Sequence, residues 1–83
     1  MQGSRALMRL RQQQKLRREQ HETTEALHRT YCALQANEKA FQMAQDRFVI
    51  EQLIYEHAAL ECRCRALLRE LREKENVQLA RGG

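Results

Sequence analysis

The chain reads as all-α: one long amphipathic helix, or an extended two-helix hairpin, ordered by its partners and with little core of its own. Three observations point there. Proline is absent, and the only glycines are Gly3, Gly82 and Gly83, so the two residue types that most strongly end or kink helices are missing from the interior. Ala, Leu, Gln, Glu, Arg and Lys fill that interior, and all are good helix formers. Apolar residues recur at heptad-like intervals. A chain of 83 residues forms at most one small domain, and chains this short build marginal cores.

Taken in order, residues 1–20 form a basic, Gln-rich lead-in (Gln12, Gln13, Gln14) with weak amphipathicity. Residues 21–76 form the long amphipathic helical region. Thr23 or Thr24 offers a cap for its start, although the acid of a capping box is absent three residues on. Residues 77–83 read as a flexible tail ending in Gly-Gly. A single helix over 21–76 would be roughly 84 Å long at 1.5 Å per residue. The hairpin alternative places its bend near residues 36–40, where Asn37 is the mild breaker.

Two apolar seams run through the long region. The first is Leu27, Tyr31, Leu34, Phe41, Phe48 and Tyr55, with Glu38, Gln45 and Gln52 in the alternate slots. It is half of a heptad seam whose other half is polar. The second, Ile50, Leu53, His57, Leu60, Cys64, Leu67 and Leu71, alternates by three and four and makes a good heptad. On one continuous helix the two seams face about 100° apart. They overlap across residues 48–55, where most of the circumference is apolar, and a helix apolar nearly all round is buried on several sides. The expected partner-binding residues are therefore Leu27, Tyr31, Leu34, Phe41, Phe48, Ile50, Leu53, Tyr55, Leu60, Leu67 and Leu71, set against at least two neighbours.

The net charge is +4 and uneven. Residues 1–20 carry six cations, Arg5, Arg9, Arg11, Lys15, Arg17 and Arg18, against Glu19 alone. A basic head suits an acidic protein surface, nucleic acid or anionic lipid. No apolar run approaches the roughly 20 residues of a membrane span, and no secretory signal is evident. The acid-free, arginine-bearing start keeps a mitochondrial address open beside a cytoplasmic one. Three cysteines, Cys32, Cys62 and Cys64, argue against a closed disulfide framework and for a reducing compartment. Cys62 and Cys64 read as buried structural cysteines.

Constellations for chemistry are sparse. His21, Glu25 and His28 share a helical face, as do His57, Glu61 and Cys64. Each is a three-ligand set with no fourth ligand in view, so no metal is expected. The chain has one serine, Ser4, and one aspartate, Asp46, and no arrangement of a nucleophilic triad. With no internal glycine there is no phosphate-cradling loop, and a chain this small encloses no pocket. No enzyme activity, cofactor or small-molecule substrate is expected. A basic region followed by heptads outlines a bZIP protein, but the heptads start too far downstream. Contact with RNA phosphates through residues 5–18 stays open as the alternative.

The run Ala66-Leu67-Leu68-Arg69-Glu70-Leu71-Arg72-Glu73-Lys74-Glu75, followed by Gln78, resembles the C-terminal helix of a family of small, all-helical cilia- and flagella-associated proteins bound inside doublet microtubules. Val49, Ile50, Leu53 and Leu60 fall on apolar positions of that family, so the resemblance covers residues 49–79. The Asn-Pro segment before that family's last helix has no counterpart in this proline-free chain. What the resemblance implies is a non-enzymatic structural strut in an axoneme. It would lie on tubulin and on other helical proteins of the microtubule wall, with its arginines on acidic tubulin surfaces. The alternative is a small basic subunit of a ribonucleoprotein or organellar complex.

Overall fold

The computed structural model describes residues 2–82, with the side chains of residues 3–77 and 79. Two helices, α1 (Gln2–Met43) and α2 (Arg47–Gly82), pack antiparallel as a hairpin measuring 68 × 16 × 14 Å. Of the two forms the sequence allows, the chain takes the hairpin. α1 runs unbroken from Gln2 and so includes the lead-in. α2 runs to Gly82, because no residue before the glycines stops a helix. Met1 and Gly83 lie outside the described residues. No helix is long and apolar enough to cross a membrane among the described residues.

The bend lies at residues 44–46, not at 36–40. Asp46 makes it. Its carboxylate Oδ1 accepts the Phe48 amide at 2.9 Å, and its carbonyl accepts the Ile50 amide at 2.9 Å. That is the geometry of an N-cap residue, which satisfies amides that a helix start otherwise leaves unpaired. Thr23 and Thr24 do not cap anything. They sit mid-helix, and their hydroxyls donate to the Glu19 and Gln20 carbonyls at 3.0 and 2.9 Å.

The seam of α2 is the heptad read from the sequence: Ile50, Leu53, His57, Leu60, Cys64, Leu67 and Leu71 are buried or half-buried, and Lys74 extends it. The seam of α1 is different from the expected one. It runs Leu16, Gln20, Thr23, Leu27, Thr30, Leu34 and Asn37, alternating by four and three, and all are buried or half-buried. Leu27 and Leu34 belong to it, but Tyr31 and Glu38 do not; Thr30 and Asn37 take their places. Thr23, Thr30 and Asn37 are each only 4% exposed, less than any leucine of the core. Their small volume lets two backbones approach closely, and their polarity is answered locally. Thr30 donates to the Ala26 carbonyl at 2.8 Å, and Asn37 Nδ2 donates across the hairpin to the Leu53 carbonyl at 3.0 Å. No buried side-chain nitrogen or oxygen lacks a partner among the described residues.

Leu27, Cys64 and Leu67 form the centre of the core, with Ala26, Leu34 and Leu68 packed around them. Each buried leucine contributes about 1.5–3 kcal/mol, so the hairpin's apolar core is thin. Lys74 fastens the open end. Its ammonium donates to the Thr23 hydroxyl at 2.6 Å and the Glu19 carbonyl at 3.1 Å, and pairs with Glu70 at 3.2 Å. Three donors thus meet three acceptors.

Candidate interaction surfaces

The hairpin divides the expected partner-binding residues into two sets. Leu27, Leu34, Ile50, Leu53, Leu60, Leu67 and Leu71 lie in the seam between α1 and α2. Expected against other proteins, they face the chain's own opposite helix instead. Truncating Leu53 would therefore damage the hairpin before it touched any partner. Tyr31, Phe41, Phe48 and Tyr55 stay outside. The split has two causes. In α1, Thr30 and Asn37 hold the seam and leave Tyr31 and Phe41 outside it. In α2, the break at residues 44–46 turns the helix direction, so Phe48 and Tyr55, which on one continuous helix would extend the stripe of Leu27 and Leu34, come out on its far side.

One exposed surface lies along a flank of the seam. Asn37, Glu38, Phe41 and Gln42 of α1 and Ile54 and His57 of α2 line an open groove of about 460 Å³. Phe41 is 45% and Ile54 51% exposed. This concavity was not expected from so short a chain. It arises because the small seam residue Asn37 lets the helices close up while larger side chains stand on either bank. Tyr31 continues the apolar stripe toward the open end.

A second surface is the outward face of α2. Phe48, Gln52, Tyr55, Ala59, Cys62 and Ala66 are all exposed and alternate by four and three along the helix. Phe48 is 79% and Tyr55 76% exposed. Large apolar side chains left out in a heptad pattern form a face suited to another helix. Sequence reading missed this face because it assigned Phe48 and Tyr55 to the seam of Leu27. The recurrence of Phe48, Tyr55 and Cys62 every seven residues was the available signal.

A third surface is basic. Arg5, Arg9, Arg11, Lys15, Arg17 and Arg18 are all exposed on the first half of α1, alongside the exposed Leu7, Met8 and Leu10. Because the fold brings the second half of α2 back along α1, the open half of the hairpin, residues 2–25 with 66–82, carries the whole net charge of +4 and the turn half is neutral.

The groups considered for chemistry are dispersed. His21 pairs with Glu25 at 3.1 Å and His57 with Glu61 at 3.5 Å, while Cys32 Sγ lies 3.7 Å from His28. Each is a contact between neighbours one helical turn apart. Cys64 turns into the core, away from Glu61. No group of three or more such side chains that could hold a metal occurs among the described residues. Cys62 is exposed, contrary to its reading as buried, because it is two residues from Cys64 and so faces the opposite way. The Arg65 guanidinium donates to its sulfur at 3.3 Å.

Comparison with protein-family models, with curated proteins and with solved structures returned no match.

Proposed function

We propose that the chain is a non-enzymatic helical strut that bridges neighbouring proteins in a large assembly. One observation carries this reading. The hairpin closes its own seam and still leaves Tyr31, Phe41 and Ile54 exposed along one flank and Phe48 and Tyr55 exposed on the outer face of α2, and apolar side chains grouped in this way mark interaction sites. An apolar groove and an apolar helix face on a rod suit helical neighbours. The six cations of α1 suit an acidic one.

The assembly we infer is the ciliary or flagellar doublet microtubule. What supports it is the resemblance of residues 49–79 to the inner proteins of that structure, together with a basic end suited to acidic tubulin. A second reading has its own observation. Residues 1–18 hold six cations and no acid, which also suits phosphate in a ribonucleoprotein or organellar complex, including a mitochondrial one.

A C-terminally tagged chain followed in ciliated cells through detergent and high-salt extraction separates the two. The microtubule reading expects signal retained along the salt-washed axoneme. Signal in mitochondria or on ribosomes, lost as salt rises, would overturn it in favour of phosphate contact, whose affinity falls steeply with salt.

A further inference from the structure

The outward face of α2 has a property the flank groove lacks: it is complementary to itself. Set two copies of α2 antiparallel with the two-fold axis level with residue 57. Phe48 then faces Ala66 of the other copy, Tyr55 faces Ala59, and Gln52 faces Cys62. Each aromatic meets an alanine, and every layer pairs a position that follows a three-residue step with one that follows a four-residue step, as antiparallel coiled-coil layers do. All six positions are exposed in the hairpin.

The flanking charges match in the same register. Glu51 falls beside Arg65 of the other copy, offset by about 3 Å along the axis at 1.5 Å per residue. The two-fold repeats that pair. Both side chains are exposed and carry only weak contacts of their own: Glu51 sits 3.7 Å from Arg47, and Arg65 donates to the Cys62 sulfur at 3.3 Å. On the other flank the two Glu56 side chains meet near the axis, and each has the other copy's Arg63 about 7.5 Å along the axis to offset their repulsion. Ala58, which faces its own copy across the axis, puts nothing bulky there. A heptad shift to either side loses aromatic–alanine layers or brings Arg69 into the seam.

We infer that this face binds a second copy of the chain, giving a two-fold dimer of hairpins joined back to back through α2. The contact runs over residues 48–66, a single helix pair about 28 Å long, which places it among small interfaces of roughly micromolar affinity. It is independent of what the basic end and the groove bind.

The test uses the full chain. Sedimentation at tens of micromolar is expected to give a dimer. Glu51→Arg sets an introduced arginine against Arg65 of the other copy, and Arg65→Glu sets an introduced glutamate against Glu51. Each variant alone is therefore expected to dimerise about tenfold more weakly. Mixed one to one they restore opposite charges at both pairs, and the mixture is expected to dimerise like the native chain. Both sites are exposed, and circular dichroism checks that helicity is kept. A native chain that stays monomeric at about 100 μM overturns the proposal and leaves the face to another protein. So does a dimer that ignores both charge reversals. Direction has its own readout. In the antiparallel dimer Ala58→Cys is expected to oxidise to a covalent dimer, whereas the two Cys62 thiols lie about 15 Å apart along the axis and do not. Cross-linking of the native chain through Cys62 would instead mean a parallel pair and would also sink the proposal.

Discussion

Asn37 offers a way to separate how much a seam residue stabilises the hairpin from how well it specifies it. Its side chain is 4% exposed, and its one cross-hairpin bond is the 3.0 Å donation to the Leu53 carbonyl. That carbonyl keeps a second partner, the helical amide four residues on, so removing the asparagine does not leave it orphaned. Asn37→Ala therefore loses one net hydrogen bond, about 1 kcal/mol, which corresponds to about 4–8 °C in melting temperature for a chain of this size. Asn37→Leu replaces the bond with apolar burial but adds volume where the helices close up around the small asparagine. Overpacking of about 1–3 kcal/mol offsets a burial gain of about 1.5–3 kcal/mol, so its stability is expected within a few degrees of the native chain. What the leucine removes is the polar contact that fixes, in the turn half of the hairpin, which residue of α2 stands opposite. Amide spectra of the leucine variant are expected to show doubled or broadened peaks for residues 50–57, while those of the native chain stay single. Asn37→Asp sets a carboxylate against the carbonyl. The folded state then disfavours the charged form and raises that carboxyl's pKa, so its penalty relative to the native chain is full at neutral pH and fades as pH falls through that value. Thermal melts followed at 222 nm check all three. An alanine variant that melts with the native chain would refute the bond. A leucine variant that melts below the alanine variant would refute the offset between burial and overpacking.

Two further outcomes follow from the fastenings at either end. Lys74→Met keeps the aliphatic stem but removes three charge-assisted bonds; with the site partly solvated, it is expected to cost about 1–2 kcal/mol. A double-mutant cycle with Thr23→Val should return a coupling of about 1 kcal/mol, since Lys74 and Thr23 meet at 2.6 Å. At the turn, Asp46→Ala removes the cap of α2 and is expected to cost about 1 kcal/mol, read as a lower urea midpoint, while Asp46→Asn retains most of the stability.

The α2 seam was legible because it is written in leucine, isoleucine and cysteine at strict three- and four-residue steps. The α1 seam was not, for a reason of chemistry. It includes Thr23, Thr30 and Asn37, residues that periodicity reading counts as polar and assigns to solvent. The nearest apolar alternative, Tyr31, then drew the seam one residue round the helix. A threonine hydroxyl can donate to the carbonyl one turn back, so its burial costs little, and nothing in hydropathy registers that. The seven-residue recurrence of Thr23, Thr30 and Asn37 was present in the sequence all the same. Lys74 escaped notice for a similar reason: a cation ends an apolar pattern unless its acceptors, here from a helix more than fifty residues away, are known. The turn was misplaced because Asn37 looked like a breaker while Asp46 stood next to good helix formers. A cap is a local bond, and it decides the boundary only where the seams on both sides let the chain reverse. Of the candidate surfaces, the basic arm was readable as charge; the groove and the outer α2 face needed the hairpin.

The placement of Lys74 and Asn37 gives the rod two unequal responses to load. Tension that draws α1 and α2 apart at the open end of the hairpin pulls first on the Lys74 fastening. It then opens the seam one layer at a time, so only a single layer resists at any moment. Tension along the rod, from the bend to one end, must slide the whole length of α1 past α2. Every layer from Leu16 to Lys74, with the Asn37 bond among them, then bears the force together. A hairpin of this build is a stiff spacer lengthwise and a zip crosswise, and the direction in which its neighbours pull decides which of the two it is.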